Sequence, residues 1–262
     1  MSMTTALSAD IEIAPPPTVP KVQWRRAWRA VTALVAEPDR TELAFEAIAA
    51  LSGRDWEALF QRFAADPYGR ELFARRPSLL AVLSDRAALR AMPEGSFGRA
   101  YAEFMDQAGL DPDGLVEAEN ASLAAEQRDD SDPHRTFFSN RVRDMHDLWH
   151  VLTGYGRDEA GEAANLAFTH AQIPQRGILL ILLGIVLRGT PDGITRFAWI
   201  RYLRRAWKRG RNSVWLPVAP YEQMLLQPLG EVRRSLGIEP GHAAHPSGVI
   251  VFNWSPRRFV LE

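Results

Sequence analysis

Residues 135–172 read RTFFSNRVRDMHDLWHVLTGYGRDEAGEAANLAFTHAQ, and this stretch decides the fold class. Phe138, Val142, Met145, Trp149 and Leu152 recur three or four residues apart, the period of a helix with one buried face, and the run stops near Gly154. His146 and His150 are one turn apart on that helix, so their rings leave the same face, with Asp147 beside it. After the Gly154-Tyr155-Gly156 turn, Asp158 has the chemistry of an N-cap for a second helix running to Gln172, with Glu162 near its start. Ala160, Gly161, Ala163 and Ala164 are small enough for the two helices to pack closely, which would carry the Glu162 carboxylate to the imidazoles. Two imidazoles with carboxylates suit zinc, and also non-haem iron, manganese or cobalt. Spacing alone leaves a plainer alternative open, a buried histidine hydrogen-bonded to a neighbouring carboxylate.

Helical periodicity extends outward from this stretch. Trp24, Trp28, Val31 and Val35 form one run ending at Pro38, and Asp39 with Glu42 has the form of a capping pair for a helix through Phe45, Ile48 and Leu51. Helices also fit Asp55 to Ala65, Ser78 to Ala91 and Ser96 to Ala108, separated by Pro or Gly signals. Period-two alternation is missing before residue 214, and only Val214 to Val218 and Val249 to Trp254 fit short extended pieces. The expectation is an all-α fold: one multi-helix domain over residues 21–262, with the candidate site between two consecutive helices. Met1 to Pro20, with Pro15, Pro16, Pro17 and Pro20 among small and polar residues, is expected to be a disordered leader.

The chain contains no cysteine, which excludes disulfides, thiolate ligands and cysteine nucleophiles and leaves imidazole and carboxylate as metal donors. A formal net charge of -1 gives no global pull towards nucleic acid. The longest apolar run, Ile178 to Leu187, falls well short of the roughly 20 residues a spanning helix needs. Met1 to Pro20 lacks the basic start and apolar run of a secretory signal, so a cytoplasmic location is expected.

The pattern His146-Asp147-x-x-His150, eleven residues, then Glu162 resembles the signature of the coenzyme Q biosynthesis family of the Coq-four type. Gly95-Ser96-Phe97-Gly98-Arg99-Ala100-Tyr101 is similar to a helix start in that family, as is Gly161-Glu162 opening an alanine-rich helix. So is Tyr221-Glu222-x-x-Leu225 running to Leu236-Gly237-Ile238, and the resemblance spans about Trp24 to Ile238. It implies a helical protein with a divalent metal, zinc first, held by His146, Asp147, His150 and Glu162. It also implies a metal-dependent decarboxylase (a lyase) acting in ubiquinone biosynthesis. The reaction implied removes the ring C1 carboxyl group of a polyprenylated 4-hydroxybenzoate-derived precursor, with oxidative hydroxylation at that carbon. Asp147 or Glu162 would leave the metal to move a proton. Zinc holds one oxidation state, so the oxidative step then needs another metal, oxygen reacting with the substrate, or a partner. Association with other ubiquinone-biosynthesis proteins and with membranes is implied as well. The alternative role is a non-catalytic prenyl-lipid-binding scaffold in which the metal only pins two helices. A hydrolase of the histidine–aspartate type fits the Glu162 spacing poorly.

Features suited to a lipid substrate lie downstream. No acidic residue occurs from Gly193 to Tyr221, while Arg196, Arg201, Arg204, Arg205, Lys208, Arg209 and Arg211 interleave with Phe197, Trp199, Ile200, Tyr202, Leu203 and Trp207. On a helix this is a basic amphipathic surface with aromatic anchors, and residues 196–211 are expected to lie on anionic lipid at the inner face of the membrane. A nucleic-acid groove and a plain solvated face with its aromatics in the core are the rivals, and nucleic acid is not the expected partner. Ile178 to Leu187, apolar on all sides, is expected to be buried or to line a prenyl-chain channel. His170 is expected behind the metal ligands or at a helix-end hydrogen bond, and His134, His242 and His245 are expected to be exposed. Asp106, Asp111 and Asp113 read as turn and cap residues, and a homo-oligomer is compatible with all of this.

Overall fold

The structure is a computed structural model and describes residues 21–122, 132–190 and 195–240. They form α1 (Trp24–Ala36), α2 (Thr41–Leu51), α3 (Arg54–Ala65), α4 (Pro67–Arg75), α5 (Leu79–Ser84), α6 (Arg86–Ala91), α7 (Phe97–Ala108) and α8 (Gly114–Ala121). After these come α9 (Pro133–Asp144), α10 (His146–Thr153), α11 (Glu159–Gln172), α12 (Arg176–Arg188), α13 (Arg196–Asn212), α14 (Tyr221–Met224) and α15 (Leu229–Leu236). The fold is all-α, as the periodicity predicts, and among the described residues the extended pairing is an isolated bridge between Ser96 and Pro228. The leader, residues 1–20, and the extended piece expected at 249–254 lie outside the described residues.

Side-chain caps explain several of the helix starts. Asp66, Ser78, Asp85, Ser96, Asp132 and Asp158 each accept from backbone N–H groups in the first turn of the helix that follows, satisfying donors that have no intrahelical partner. Asp85 also corrects a boundary: it caps Ala88 and splits the expected helix over 78–91 into α5 and α6. Asp39 does not cap α2, which starts at Thr41 with no side-chain cap; Glu42 pairs instead with Arg40 at 2.8 Å. The single helix expected through Phe138 and Leu152 is two, α9 and α10, jointed at Met145 where ψ opens to -16°. The Trp149 N–H still reaches the Met145 carbonyl at 3.1 Å, so the axis bends there without stopping. Val214 to Val218 is not extended; it holds a 3-10 turn at Leu216–Val218.

The core positions the site. Phe63 meets Phe73 and Phe138 at ring-centroid separations of 5.0 and 5.2 Å, and α10 runs through the same cluster with Leu148, Trp149, Val151 and Leu152 buried. The main partner of α11 is α13 rather than α10, and Gly210 makes that contact possible, since a Cβ there would stand 2.6 Å from the Phe168 carbonyl oxygen. The close approach of α10 and α11 is made at their turn: a Cβ on Gly161 would stand 2.1 Å from the Gly156 carbonyl oxygen. Gly154 ends α10 with φ 76°, a left-handed conformation that glycine adopts without cost from a side chain. The run Ile178 to Leu187 is one-sided rather than buried all round. Ile178, Ile181 and Gly184 face inward, while Leu179, Leu183 and Leu187 are exposed.

The turn contact carries a prediction. Gly161→Ala must push the Gly156 backbone away and is expected to destabilise the protein by about 1–3 kcal/mol in urea or thermal unfolding. Gly230→Ala on α15, where an added Cβ meets nothing within 4 Å, serves as the control and is expected to be neutral or mildly stabilising.

Candidate metal centre

His150 is fully buried on α10, its ring stacked near Phe104 at a centroid separation of 5.6 Å. Its Nδ1 lies 3.0 Å from the Tyr155 carbonyl oxygen, a partner that can only accept, so Nδ1 carries a hydrogen and Nε2 is the nitrogen that gains or loses a proton. That Nε2 is buried and faces a Glu162 carboxylate oxygen at 3.3 Å, an ion pair when the imidazole is protonated. Deprotonated, Nε2 is a buried lone pair beside a carboxylate, which is costly unless a cation meets both.

The neighbouring groups complete a donor set. His146 lies on the same face, its ring 5.0 Å from His150, with Nδ1 at 3.2 Å from Asp147 Oδ1. His146, Asp147 and His150 each offer a ligand atom within 4.8 Å of the others, a group that can hold a metal ion. Glu162 belongs to the first turn of α11, where Asp158 caps the helix and accepts from the Ala160 and Gly161 N–H groups. Its second oxygen accepts from Arg157 at 3.2 Å. The structure therefore brings Glu162 to His150, while the tighter group of three lies on α10.

Electrostatics follow from these contacts. Burial opposes charge on the His150 imidazole, but the Glu162 carboxylate, with Asp147 behind it, outweighs burial and raises its pKa above 6.5. Burial likewise works against a charged Glu162, yet His150, His146 and Arg157 hold its pKa down at about 2. Burial, with the Asp147 charge nearby, pushes the Tyr101 phenol up, so Tyr101 stays neutral.

Several supporting groups carry no motif. Arg233 on α15 is buried and donates to the Val151 and Leu152 carbonyls at 2.8 and 2.9 Å, closing the C-terminal end of α10; burial lowers its pKa to about 10. Trp149 donates to the Tyr221 hydroxyl, which donates to the Leu216 carbonyl, and Arg141 grips Glu222 at 2.7 Å and the Ala219 carbonyl at 2.9 Å. The late Tyr221-Glu222 segment is thus a brace for α9 and α10. Tyr155 acts through its carbonyl, which no side-chain pattern reveals, and Arg157 follows no helical spacing to Glu162.

Other expected residues separate from the centre. His170 is partly buried on α11, and burial lowers its pKa. His134 is not exposed: it packs edge-on to Phe73 at 4.9 Å with a side chain 16% exposed. His242 and His245 lie outside the described residues. Asp106 on α7 ion-pairs with Arg86 and Arg90 of α6, whereas Asp111 does hold a turn, accepting from the Asp113 N–H. A cavity of about 390 Å³ reaches the centre at His146, its other walls including Phe45, Ile48, Trp56, Leu166 and Ile178.

Comparisons with known proteins agree with this picture. A family model described as Coenzyme Q (ubiquinone) biosynthesis protein Coq4 matches residues 25–242. The ubiquinone biosynthesis protein COQ4, mitochondrial, of Meyerozyma guilliermondii is 32% identical over 183 residues, covering 69% of this chain and 55% of that protein. The protein so named from Yarrowia lipolytica is 32% identical over 183 residues, covering 69% of this chain and 65% of its own length. The chain therefore matches less than two thirds of either relative. A crystal structure from Nostoc punctiforme, of a protein assigned to ubiquinone biosynthesis, superimposes with a TM-score of 0.61 at 20% identity over 83% of this chain and 99% of that one. At that identity it shows the fold.

The His150–Glu162 pair has a pH signature in the metal-free protein. His150, raised above 6.5, contributes stability that is complete below that value and fades as pH rises through its folded pKa. Glu162, depressed from 4.5 to about 2, contributes stability that is complete above 4.5 and fades as pH falls. The advantage of the native chain over Glu162→Gln is therefore expected to be greatest between pH 4.5 and 6.5, measured by denaturant unfolding in a chelator. An advantage that keeps growing above pH 8 would contradict the pairing.

Proposed function

This chain belongs to the coenzyme Q (ubiquinone) biosynthesis family, and from that premise we propose that it acts in ubiquinone biosynthesis as a metal-dependent lyase. Its substrate is a polyprenylated ring derived from 4-hydroxybenzoate, and the reaction replaces the C1 carboxyl group by a hydroxyl, with dioxygen as the two-electron oxidant: substrate, dioxygen and water give the hydroxylated ring, carbon dioxide and hydrogen peroxide. The observation that carries the reading is the buried Nε2 of His150 set against Glu162 at 3.3 Å, with His146 and Asp147 beside it. His146, Asp147, His150 and Glu162 are the proposed ligands. A divalent cation there, zinc first and iron, manganese or cobalt as alternatives, supplies a Lewis acid for the substrate carboxylate as carbon dioxide leaves.

The chain's own groups do the rest. The Tyr155 carbonyl fixes the His150 tautomer and ring plane, so the donor atom does not wander. Asp147, with a side chain 9% exposed, orients His146, while Glu162, 30% exposed with one oxygen on Arg157, is the carboxylate proposed to leave the metal and move a proton. The apolar wall of Phe45, Ile48, Leu166 and Ile178 suits the first isoprene units and keeps water from the reacting ring. The domain is taken to run from residue 21 to 262 behind the proline-rich leader.

Delivery of so apolar a substrate calls for a lipid surface, and no described helix is long and apolar enough to cross a membrane. α13 turns Trp199 and Leu203 into the core and leaves Phe197, Ile200 and Trp207 exposed among its arginines, 75% exposed in the case of Phe197. Not all the aromatics turn to the core, and this favours the lipid-surface reading, with peripheral attachment to the inner face of the membrane beside other ubiquinone-biosynthesis proteins.

Two measurements test the proposal. The purified, metal-quantified protein is expected to release carbon dioxide from a prenylated 4-hydroxybenzoate in the presence of oxygen, and Glu162→Ala is expected to lose this activity. Stoichiometric metal and lipid binding without turnover would favour the scaffold role. Arg201→Gln, Arg204→Gln and Lys208→Gln together should weaken binding to anionic liposomes roughly a hundredfold at low salt. Unchanged liposome binding would remove α13 from the membrane contact.

A further inference from the structure

The cations of α13 do not all face the same way. Arg201, Arg204, Lys208 and Arg211 are exposed, whereas Arg209 is half-buried and its Nη1 donates to the Tyr155 hydroxyl at 3.0 Å. Arg209 thus leaves the basic surface that the sequence suggests and reaches the turn between α10 and α11. Tyr155 is also the residue whose carbonyl oxygen meets His150 Nδ1 at 3.0 Å, so its two ends join α13 to the buried imidazole. The ring between them is 2% exposed and lies edge-on to Tyr202 of α13 at a centroid separation of 6.1 Å. Tyr202 in turn stacks on the buried Trp199 at 5.7 Å.

The far end of this side chain matters to the near end because little else of comparable strength holds the residue. Tyr155 sits between Gly154 and Gly156, neither of which has a side chain to anchor the turn. Its N–H reaches the Thr153 hydroxyl at 3.4 Å, close to the limit of a hydrogen bond. The bond from the Arg209 guanidinium is shorter and of the stronger, charge-assisted kind. A stiff ring with a fixed tip leaves its own Cα, and the carbonyl that follows, little room to move. The same helix seats the other half of the centre. Gly210, next to Arg209, packs against Phe168 and Ala171 of α11, the helix that carries Glu162. Adjacent residues of α13 therefore hold His150 and Glu162 in one frame.

We propose that Arg209 is a positioning residue for the metal centre, setting the His150 imidazole through Tyr155. The inference rests on the centre being a metal site. Its role is indirect: it fixes where one donor nitrogen points. Groups behind the ligands of a metal site typically change its affinity by about 10- to 100-fold, because they orient the ligand before the ion arrives.

The test uses the full chain, stripped of other metals and titrated with cobalt(II), whose visible absorption follows its coordination geometry. Arg209→Met keeps the length of the side chain without its donor, and Tyr155→Phe keeps the ring and the carbonyl without the hydroxyl. Each is expected to weaken cobalt affinity about tenfold and to alter the visible spectrum. The double variant is expected to be no weaker than either single one, because both remove one link. Leu51→Ala, a core truncation in a cluster separate from the one around the centre, sets the scale for lost stability. It is expected to lower the thermal midpoint of the metal-free protein and to leave cobalt affinity and spectrum as in wild type. A lowered midpoint in Arg209→Met and Tyr155→Phe with affinity and spectrum unchanged would show that the bond serves the fold alone, and would overturn the inference. Losses of affinity that add in the double variant would overturn it too, since the two groups would then act separately. Cobalt binding that His150→Ala leaves unchanged would overturn the metal centre and this inference together.

Discussion

A single hydrogen bond, from His150 Nδ1 to the carbonyl of Tyr155, sets most of the geometry around the centre. It joins a fully buried imidazole to the turn that follows its own helix. Gly154 must take a left-handed conformation for that carbonyl to come back over the ring, and Gly161 must lack a side chain for the turn to close against α11. Once the turn is closed, Asp158 starts α11 and the first turn of that helix holds Glu162 3.3 Å from the other nitrogen of the ring. The imidazole is thus both the structural pin of the turn and the partner of Glu162.

Holding such a group deep in a core needs braces from far along the chain. Arg233 gives its charge to the C-terminal carbonyls of α10, where a cation meets the negative end of the helix dipole. Arg141 is nearly buried and pairs with Glu222, and Trp149 reaches Tyr221. Removing one partner of a buried charge pair leaves the other uncompensated, so these contacts hold register as much as they add stability. The centre is therefore assembled by residues from α10 and α11 and fixed by residues 219 to 233, with Arg141 of α9 between them, which explains why a late segment of sequence matters to an early motif.

Much of this was legible in the sequence, for identifiable reasons. His146, Asp147 and His150 share a face because helical spacing requires it, and the Asp158 cap set the start of α11 within a residue. The coarse fold followed from apolar periodicity alone. What escaped was tertiary. The joint at Met145 and the break at Asp85 interrupt apolar patterns that run straight through them. Tyr155 contributes a backbone oxygen, which no residue type announces. The small residues around Glu162 suggest an α10–α11 contact, whereas α11 packs mainly on α13 and meets the α10 side at the Gly156–Gly161 turn. His134 lay in a proline-flanked context that suggested exposure, and Phe73, distant in sequence, covers it. Leu179, Leu183 and Leu187 looked like core and face outward, because an apolar run does not say which of its sides will find a neighbour.

The central claim is that the two imidazoles of α10 and the carboxylate of α11 are ligands to one metal ion. X-ray absorption at the metal edge of the purified protein tests it most directly. The account predicts stoichiometric metal with two imidazoles at about 2.0–2.1 Å and carboxylate oxygens completing the shell, if the ion is zinc. His150→Ala should remove one imidazole from that shell. A shell of oxygen alone, or one unchanged by His150→Ala, would contradict it.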